Sequence, residues 1–203
     1  MSTAIAIWAS RVTDLPANPA TLETLRGTDD RALIHAFLGG NRDAFDVIVE
    51  RHRKQVYQLC YRFLGNHEDA SDLTQDVFVR AFKGLHSFKG DSQLGTWLYR
   101  VGVNVCLNRV ALKTPKLETI EPEHHVDQRN PDAHELVARG ERAIVVRRAI
   151  AKLPPKQRAT LVLRIYQEMS HEEIATVLGS SVGAVKANFF HALGNLKRLL
   201  QQA

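Results

Sequence analysis

Between residues 29 and 112 apolar side chains recur every three or four positions, broken only at short polar or glycine-containing turns. The first run puts Leu33, Ile34, Phe37 and Leu38 on one face and stops at Gly39–Gly40. Asn41 can cap the next helix, expected over about residues 42–64, with Phe45, Ile48, Val49, His52, Val56, Leu59, Cys60 and Phe63 inward. Gly65 ends it. Asn66 then suits an N-cap, and Glu68 and Asp69 fall in a first turn whose dipole favours carboxylates. A third helix, expected over residues 67–85, carries a nearly complete apolar stripe of Ala70, Leu73, Thr74, Val77, Phe78, Ala81, Phe82 and Leu85. Opposite that stripe stand Asp69, Asp72, Asp76, Arg80 and Lys83. Gly90-Asp91-Ser92 is turn chemistry, and Asp91 or Ser92 can cap a fourth helix. That helix sets Leu94, Trp97, Leu98, Val101, Val105 and Leu107–Asn108 near one side, with Tyr99, Arg100 and Asn104 elsewhere.

The periodicity lapses over residues 113–131, which contain Pro115, Pro122 and Pro131 and read as a linker. Fully extended, such a segment spans at most ~65 Å, comparable with two turns of duplex DNA at roughly 70 Å. Beyond Asp132 a helix is expected to about Leu153, ended by Pro154–Pro155, and Pro155 suits the start of another carrying Leu161, Val162, Ile165 and Tyr166. Ser170-His171-Glu172-Glu173 has capping-box form; Gly179 closes that short helix, and a last one runs from near Ser181–Val182 towards Leu200. Residues 1–27, with Pro16 and Pro19, show no sustained periodicity and read as a flexible leader with at most one helical turn. The expected fold is all-α, two small helical domains joined by a flexible linker. Its divisions are 1–28 (leader), 29–112, 113–131 (linker) and 132–203.

Charge sharpens this division. Lys and Arg against Asp and Glu number two against two in residues 1–27, eleven against ten in 28–112, three against six in 113–138 and eleven against four in 139–203. A near-neutral first module, an acidic connector and a basic last module point the last part towards phosphate backbone, against the alternative of a merely solvated basic surface. No apolar run approaches the ~20 residues of a spanning helix. The only apolar patch near the start, residues 4–9, has no Lys or Arg before it, so a cytoplasmic protein without membrane insertion is expected. Cys60 and Cys106 each fall in an apolar helical pattern and read as buried free thiols, with a metal or redox role as the alternative. His124–His125 lacks helical ligand spacing. With no triad, metal set or phosphate loop, neither catalysis nor a cofactor is expected.

Two constellations carry binding chemistry. Ile174, Ala175, Leu178, Gly179, Val182 and Val185 have the spacing of a helix-turn-helix, whose second helix enters the major groove. Its outward set would be Ser181, Val182, Gly183, Ala184, Lys186, Ala187, Asn188 and His191, with Lys197 and Arg198 near phosphates; a structural helical hairpin is the alternative. On spacing alone the Asp69, Asp72 and Asp76 face reads either as a solvated surface with an Asp76–Arg80 pair or as a docking face for a basic protein surface. Trp97 reads as core or as functional.

Asp69-x-x-Asp72-Leu73-Thr74-Gln75-Asp76-Val77-Phe78, followed by Phe88-x-Gly90-Asp91-Ser92-x-x-x-Thr96-Trp97-Leu98-Tyr99-Arg100-x-x-x-Asn104, resembles region two of bacterial sigma factors of the extracytoplasmic-function (group IV) type. Leu153-Pro154-x-x-Gln157-Arg158 through Val185-Lys186 resembles region four. The resemblance implies an alternative sigma factor that binds RNA polymerase core and recognises −35 and −10 promoter elements. Asp69, Asp72, Leu73, Gln75, Asp76 and Phe78 would dock on the β′ clamp, and the last domain would meet the β flap. Phe88, Lys89, Gly90, Asp91 and Ser92 would capture an unstacked base of the single-stranded −10 segment, where an apolar surface plus donors and acceptors is what such a base needs. Trp97, Tyr99, Arg100 and Asn104 would also meet −10 DNA. The helix-turn-helix would read duplex −35 DNA, and an anti-sigma factor is an expected partner. Relatives often carry further arginines after Val-Lys, where this chain has Ala187-Asn188-Phe189-Phe190-His191. Fewer guanidiniums mean fewer bidentate contacts, so the −35 sequence does not transfer. Two rivals stay open: a conventional helix-turn-helix regulator that ignores polymerase, and a sigma-like decoy that sequesters an anti-sigma factor.

Overall fold

A computed structural model of the chain describes residues 19–112 and 133–202, with side chains placed from 22–112 and 142–202. The greater part of the expected leader, the linker and His124–His125 lie outside the described residues. Among the described residues the elements are all helical: α1 (Pro19–Arg26), α2 (Asp30–Leu38), α3 (Asp43–Leu64), α4 (His67–Gly84), a 3-10 turn (Leu85–Ser87), α5 (Leu94–Leu112), α6 (Ala133–Ala151), α7 (Pro155–Tyr166), α8 (His171–Leu178) and α9 (Val182–Gln201). The all-α expectation holds. None of these helices is long and apolar enough to cross a membrane.

The described residues pack as two units, divided between His52 and Arg53. In the first, Leu33, Ile34, Phe37, Phe45 and Ile48 form the core, and the Phe37 and Phe45 rings meet at 5.4 Å. Asp29 caps α2 by accepting from Ala32 N at 2.8 Å. Asp30 accepts from Arg51 at 2.6 Å and pairs with His52 at 3.0 Å, while Arg51 also donates to Thr28 O at 2.7 Å. Leu38 departs from the expected face and is exposed at the end of its helix. Residues 19–26 also depart from the sequence reading: they form a two-turn helix rather than part of a flexible leader. Eight residues are too few for periodicity to declare itself. The helix instead rests on Pro19, whose missing N–H is harmless in a first turn, on buried Leu25, and on Arg26 bridging to Glu50 at 3.0 Å.

In the second unit the α4 stripe is inward as expected, with Ala70, Leu73, Thr74, Val77, Phe78, Ala81 and Leu85 buried and Phe82 half-buried. Burying each large side chain of this kind contributes roughly 1.5–3 kcal/mol. α4 packs along α5, and α3 approaches α5 closely at Gly102, where a Cβ would lie 2.9 Å from Leu59 Cδ2. Towards the C-terminus α9 packs on α6, α7 and α8, around Leu161, Val162, Ile174, Val177, Val185 and Ala192. α5 also touches α7 and α8. Buried Arg158 of α7 ties the end of α3 to the end of α6 and the turn after it, donating to Phe63 O at 3.0 Å, to Leu153 O at 3.2 Å and to Ala151 O. Arg62 stacks 4.1 Å over Tyr166.

Candidate nucleic-acid interface

α4 starts where the sequence places it, because Asn66 Oδ1 accepts from Asp69 N at 2.7 Å. The acidic face then divides. Asp72, Gln75 and Asp76 are exposed. Asp69 turns inward and is 8% exposed. Its Oδ2 accepts from Asn66 Nδ2 at 2.6 Å and its Oδ1 from Arg109 Nη2 of α5 at 2.7 Å. That hydrogen bond is the first cause raising the Arg109 guanidinium above its ordinary value, helped by the charges of Asp69, Asp72 and Asp76 and opposed by burial. Leu73 and Phe78 lie in the core. Of the six α4 residues picked from the sequence, three therefore form a continuous outer surface, and three hold the helix in place.

After α4 the chain tightens into the 3-10 turn, with Ser87 Oγ donating to Gly84 O at 2.7 Å and Phe88 N to Leu85 O at 3.1 Å. The loop that follows reverses at Gly90, whose φ of 77° is left-handed and suits glycine. Lys89, Gly90 and Asp91 are exposed, and Ser92 is half-buried. Phe88 and Trp97, both half-buried, meet at 5.4 Å with their planes 58° apart. The indole also covers Gly84, where a Cβ would sit 3.5 Å from it. Both aromatics thus anchor the loop on α5 while each leaves part of a ring in solvent. α5 opens at Leu94, with Trp97 N bonded to Gln93 O at 3.1 Å. Arg100 and Asn104 are exposed one turn apart, and half-buried Tyr99 has its phenol pushed up by burial. The loop and the start of α5 bring exposed polar groups and partly exposed rings onto one stretch of surface.

At the other end the helix-turn-helix forms as its spacing requires. Ser170 Oγ accepts from Glu173 N at 3.1 Å, and Glu173 Oε2 accepts from Ser170 N at 2.7 Å, completing the capping box. Gly179 takes φ 58°, ψ 43°, and Ser180 N closes the turn on Ala175 O at 3.0 Å. Ser181 caps α9 by accepting from Ala184 N at 3.2 Å, so its hydroxyl is committed to the helix start. Gly183, Ala184, Lys186, Ala187, His191, Lys197 and Arg198 are exposed, with Val182 and Asn188 half-buried. Arg198 donates to Asn195 Oδ1 at 2.6 Å. Missing from the sequence reading is Phe190, 74% exposed and four residues after Lys186 on the outer face of α9. Its i+4 spacing from Lys186 was the available signal; apolar residues on a helix usually mark the inward face instead. Among the described residues no group of His, Cys, Asp or Glu could hold a metal ion.

Comparison with known proteins converges on one family. Residues 48–114 match the sigma-70 region 2 family and residues 143–196 the sigma-70 region 4 family. The chain is 33% identical over 178 residues to the ECF RNA polymerase sigma factor SigW of Bacillus subtilis, covering 80% of this chain and 91% of that protein. It is 35% identical over 175 residues to the ECF RNA polymerase sigma factor SigM of Mycobacterium tuberculosis, covering 84% of each. Among solved structures, CnrH in complex with the cytosolic domain of CnrY aligns with a TM-score of 0.62 and 29% identity over 85% of this chain and 97% of that one.

Proposed function

The chain belongs to the extracytoplasmic-function sigma factors of the sigma-70 family, and from that footing we propose which of its surfaces meets which partner. As a sigma factor it binds RNA polymerase core, recognises −35 and −10 promoter elements and promotes −10 opening. The functional division we assign is 29–112 for core and −10 binding, 113–131 as connector and 132–203 for −35 binding, preceded by a leader over 1–28.

Asp72, Gln75 and Asp76 on the exposed side of α4 dock on the β′ clamp, where carboxylates suit a basic surface. Asp69, Leu73 and Phe78 act from beneath by fixing that helix. The loop from Phe88 to Ser92 takes an unstacked −10 base, with the open parts of the Phe88 and Trp97 rings offering an apolar wall and Lys89, Asp91 and Ser92 offering polar edges. Arg100 and Asn104 follow the same strand, and Tyr99 supports them. α9 enters the −35 major groove through Gly183, Ala184, Lys186, Ala187, Asn188 and His191, and the exposed Phe190 ring adds an apolar contact suited to a thymine methyl. Lys197 and Arg198 lie along phosphates, and the β flap meets the same domain. An anti-sigma protein is a further partner, and action in the cytoplasm follows from the polymerase.

One observation supports this reading above the others. The acidic outer face of α4 and the loop-α5 surface follow each other directly in chain and space, while a fully formed helix-turn-helix stands on a separate helix pair. A regulator acting without polymerase leaves the first of these unused. Run-off transcription with purified core and a cognate promoter tests the assignment: Asp72→Lys with Asp76→Lys should abolish the transcript and weaken core binding, while −35 duplex binding persists. Unchanged core affinity would remove α4 from the clamp.

A further inference from the structure

Cys60 on α3 and Cys106 on α5 are 46 positions apart, yet their sulfurs lie 3.9 Å apart, and both side chains are fully buried. Neither polymerase docking nor promoter contact employs them. The helices that carry them are nearly in contact here: Gly102, one turn before Cys106, has no room for a Cβ against Leu59, the neighbour of Cys60. The two thiols are not equivalent. Cys106 donates its S–H to Cys60. That bond, aided by the Thr74 hydroxyl and opposed by burial, holds Cys60 below the ordinary thiol value. Giving the bond, together with burial, pushes Cys106 well above it. Thiolate character, and so nucleophilicity, therefore gathers on Cys60.

We propose that Cys60 and Cys106 form a dithiol oxidation site inside the first helical module, which peroxide converts to an intramolecular disulfide. The Cys60 thiolate attacks one peroxide oxygen, the O–O bond breaks, and the departing hydroxide takes a proton to leave as water. Cys60 is then a sulfenic acid. The Cys106 sulfur attacks it, the S–O bond breaks, and the Cys106 proton leaves with the hydroxyl as a second water. Two thiols are oxidised by two electrons, and one hydrogen peroxide is reduced to two waters. The sulfurs must close from 3.9 Å to about 2.05 Å, a movement favoured by the close packing of α3 on α5 at Leu59 and Gly102. Because both groups are buried, the oxidant enters only during local opening, so the reaction is slower than at an exposed thiol. The bond pins α3 to α5 beneath α4 and leaves the exposed Asp72, Asp76, Arg100 and Asn104 outside it.

The test treats the full-length folded protein with hydrogen peroxide, removes the excess, alkylates free thiols under denaturing conditions and maps the digest by mass spectrometry. Expected is one linked peptide pair joining Cys60 to Cys106, two hydrogens lighter than the reduced peptides and restored by reductant. Its yield should be independent of protein concentration. The oxidised protein should unfold about 5 °C or more above the reduced one, as a cross-link that fits the native packing requires. In Cys106→Ala, which removes both the resolving thiol and the hydrogen bond that favours the Cys60 thiolate, a dimedone adduct should form on Cys60 more slowly than the wild type forms its disulfide, and neither single variant should give a linked pair. If either variant fails to fold, the wild-type map and melting shift decide alone. Thiols that remain fully alkylatable, a link found only between chains, or a lowered unfolding midpoint overturns the proposal.

Discussion

Asp69→Asn separates the residue that fixes α4 from those proposed to meet polymerase on its outer side. Asp69 accepts from Asn66 Nδ2 at 2.6 Å through one oxygen and from Arg109 Nη2 at 2.7 Å through the other. An amide in its place keeps one acceptor, so one of the two donors is left facing an NH2 group. A hydrogen bond to a charged group contributes about 1.5–3 kcal/mol. The Arg109 side chain is 42% exposed, and solvent screening there brings the expected loss to the lower part of that range, about 2 kcal/mol. For a packing unit of about 150 residues, each kcal/mol moves the melting midpoint by ~2–4 °C, which gives a drop of roughly 4–8 °C. Thermal unfolding by circular dichroism reads that drop, and core binding at a temperature well below it should change little. A variant with wild-type melting and lost core binding would refute the reasoning, since the carboxylate would then be meeting polymerase directly.

Elsewhere the expected outcomes are more local. Gly102→Ala forces a methyl against Leu59, and chemical unfolding should show a loss of about 1–3 kcal/mol from overpacking. Gly179→Ala must hold φ 58° with a side chain, costing roughly 1 kcal/mol, visible as earlier melting of the C-terminal helices and weaker −35 binding. Lys197→Ala should lower −35 affinity and reduce the slope of log affinity against log salt by about one unit; an unchanged slope would take Lys197 off the phosphate backbone. Phe190→Ala should weaken −35 binding with little change in salt slope, and protein stability should hold because the ring is already in solvent.

What the sequence reveals and what it hides follow from the range of each interaction. The α4 stripe, the Asn66 cap, the Ser170 capping box and the Gly179 turn all rest on short spacings along the chain, and period and cap chemistry expose them directly. The partner of Asp69 is Arg109, forty residues away, and no periodicity announces it. The acidic face therefore reads from sequence as a row of equivalents when one member is spent inside. Phe88 and Trp97 pose the same problem: each is legible as core or as surface, and their mutual contact makes them partly both. α1 escaped because eight residues give a stripe too short to see, and contacts from residues 50 and 51 complete its surroundings.

Arg158 carries one more consequence. Its guanidinium divides its donors between Phe63 O, in the module proposed to face polymerase, and Ala151 O and Leu153 O, in the one proposed to read the −35 element, and burial lowers its affinity for its own proton. A −35 site two duplex turns from the −10 element lies roughly 70 Å away, and the first of those bonds cannot survive such a span. Promoter binding then draws on whatever fraction of the free protein has parted, and apparent promoter affinity is the intrinsic affinity multiplied by that fraction. Every tenfold preference for the joined form subtracts about 1.4 kcal/mol from binding. Polymerase, by holding the modules apart, would return that energy to the promoter, so that the two associations become mutually reinforcing without any contact between the surfaces that make them.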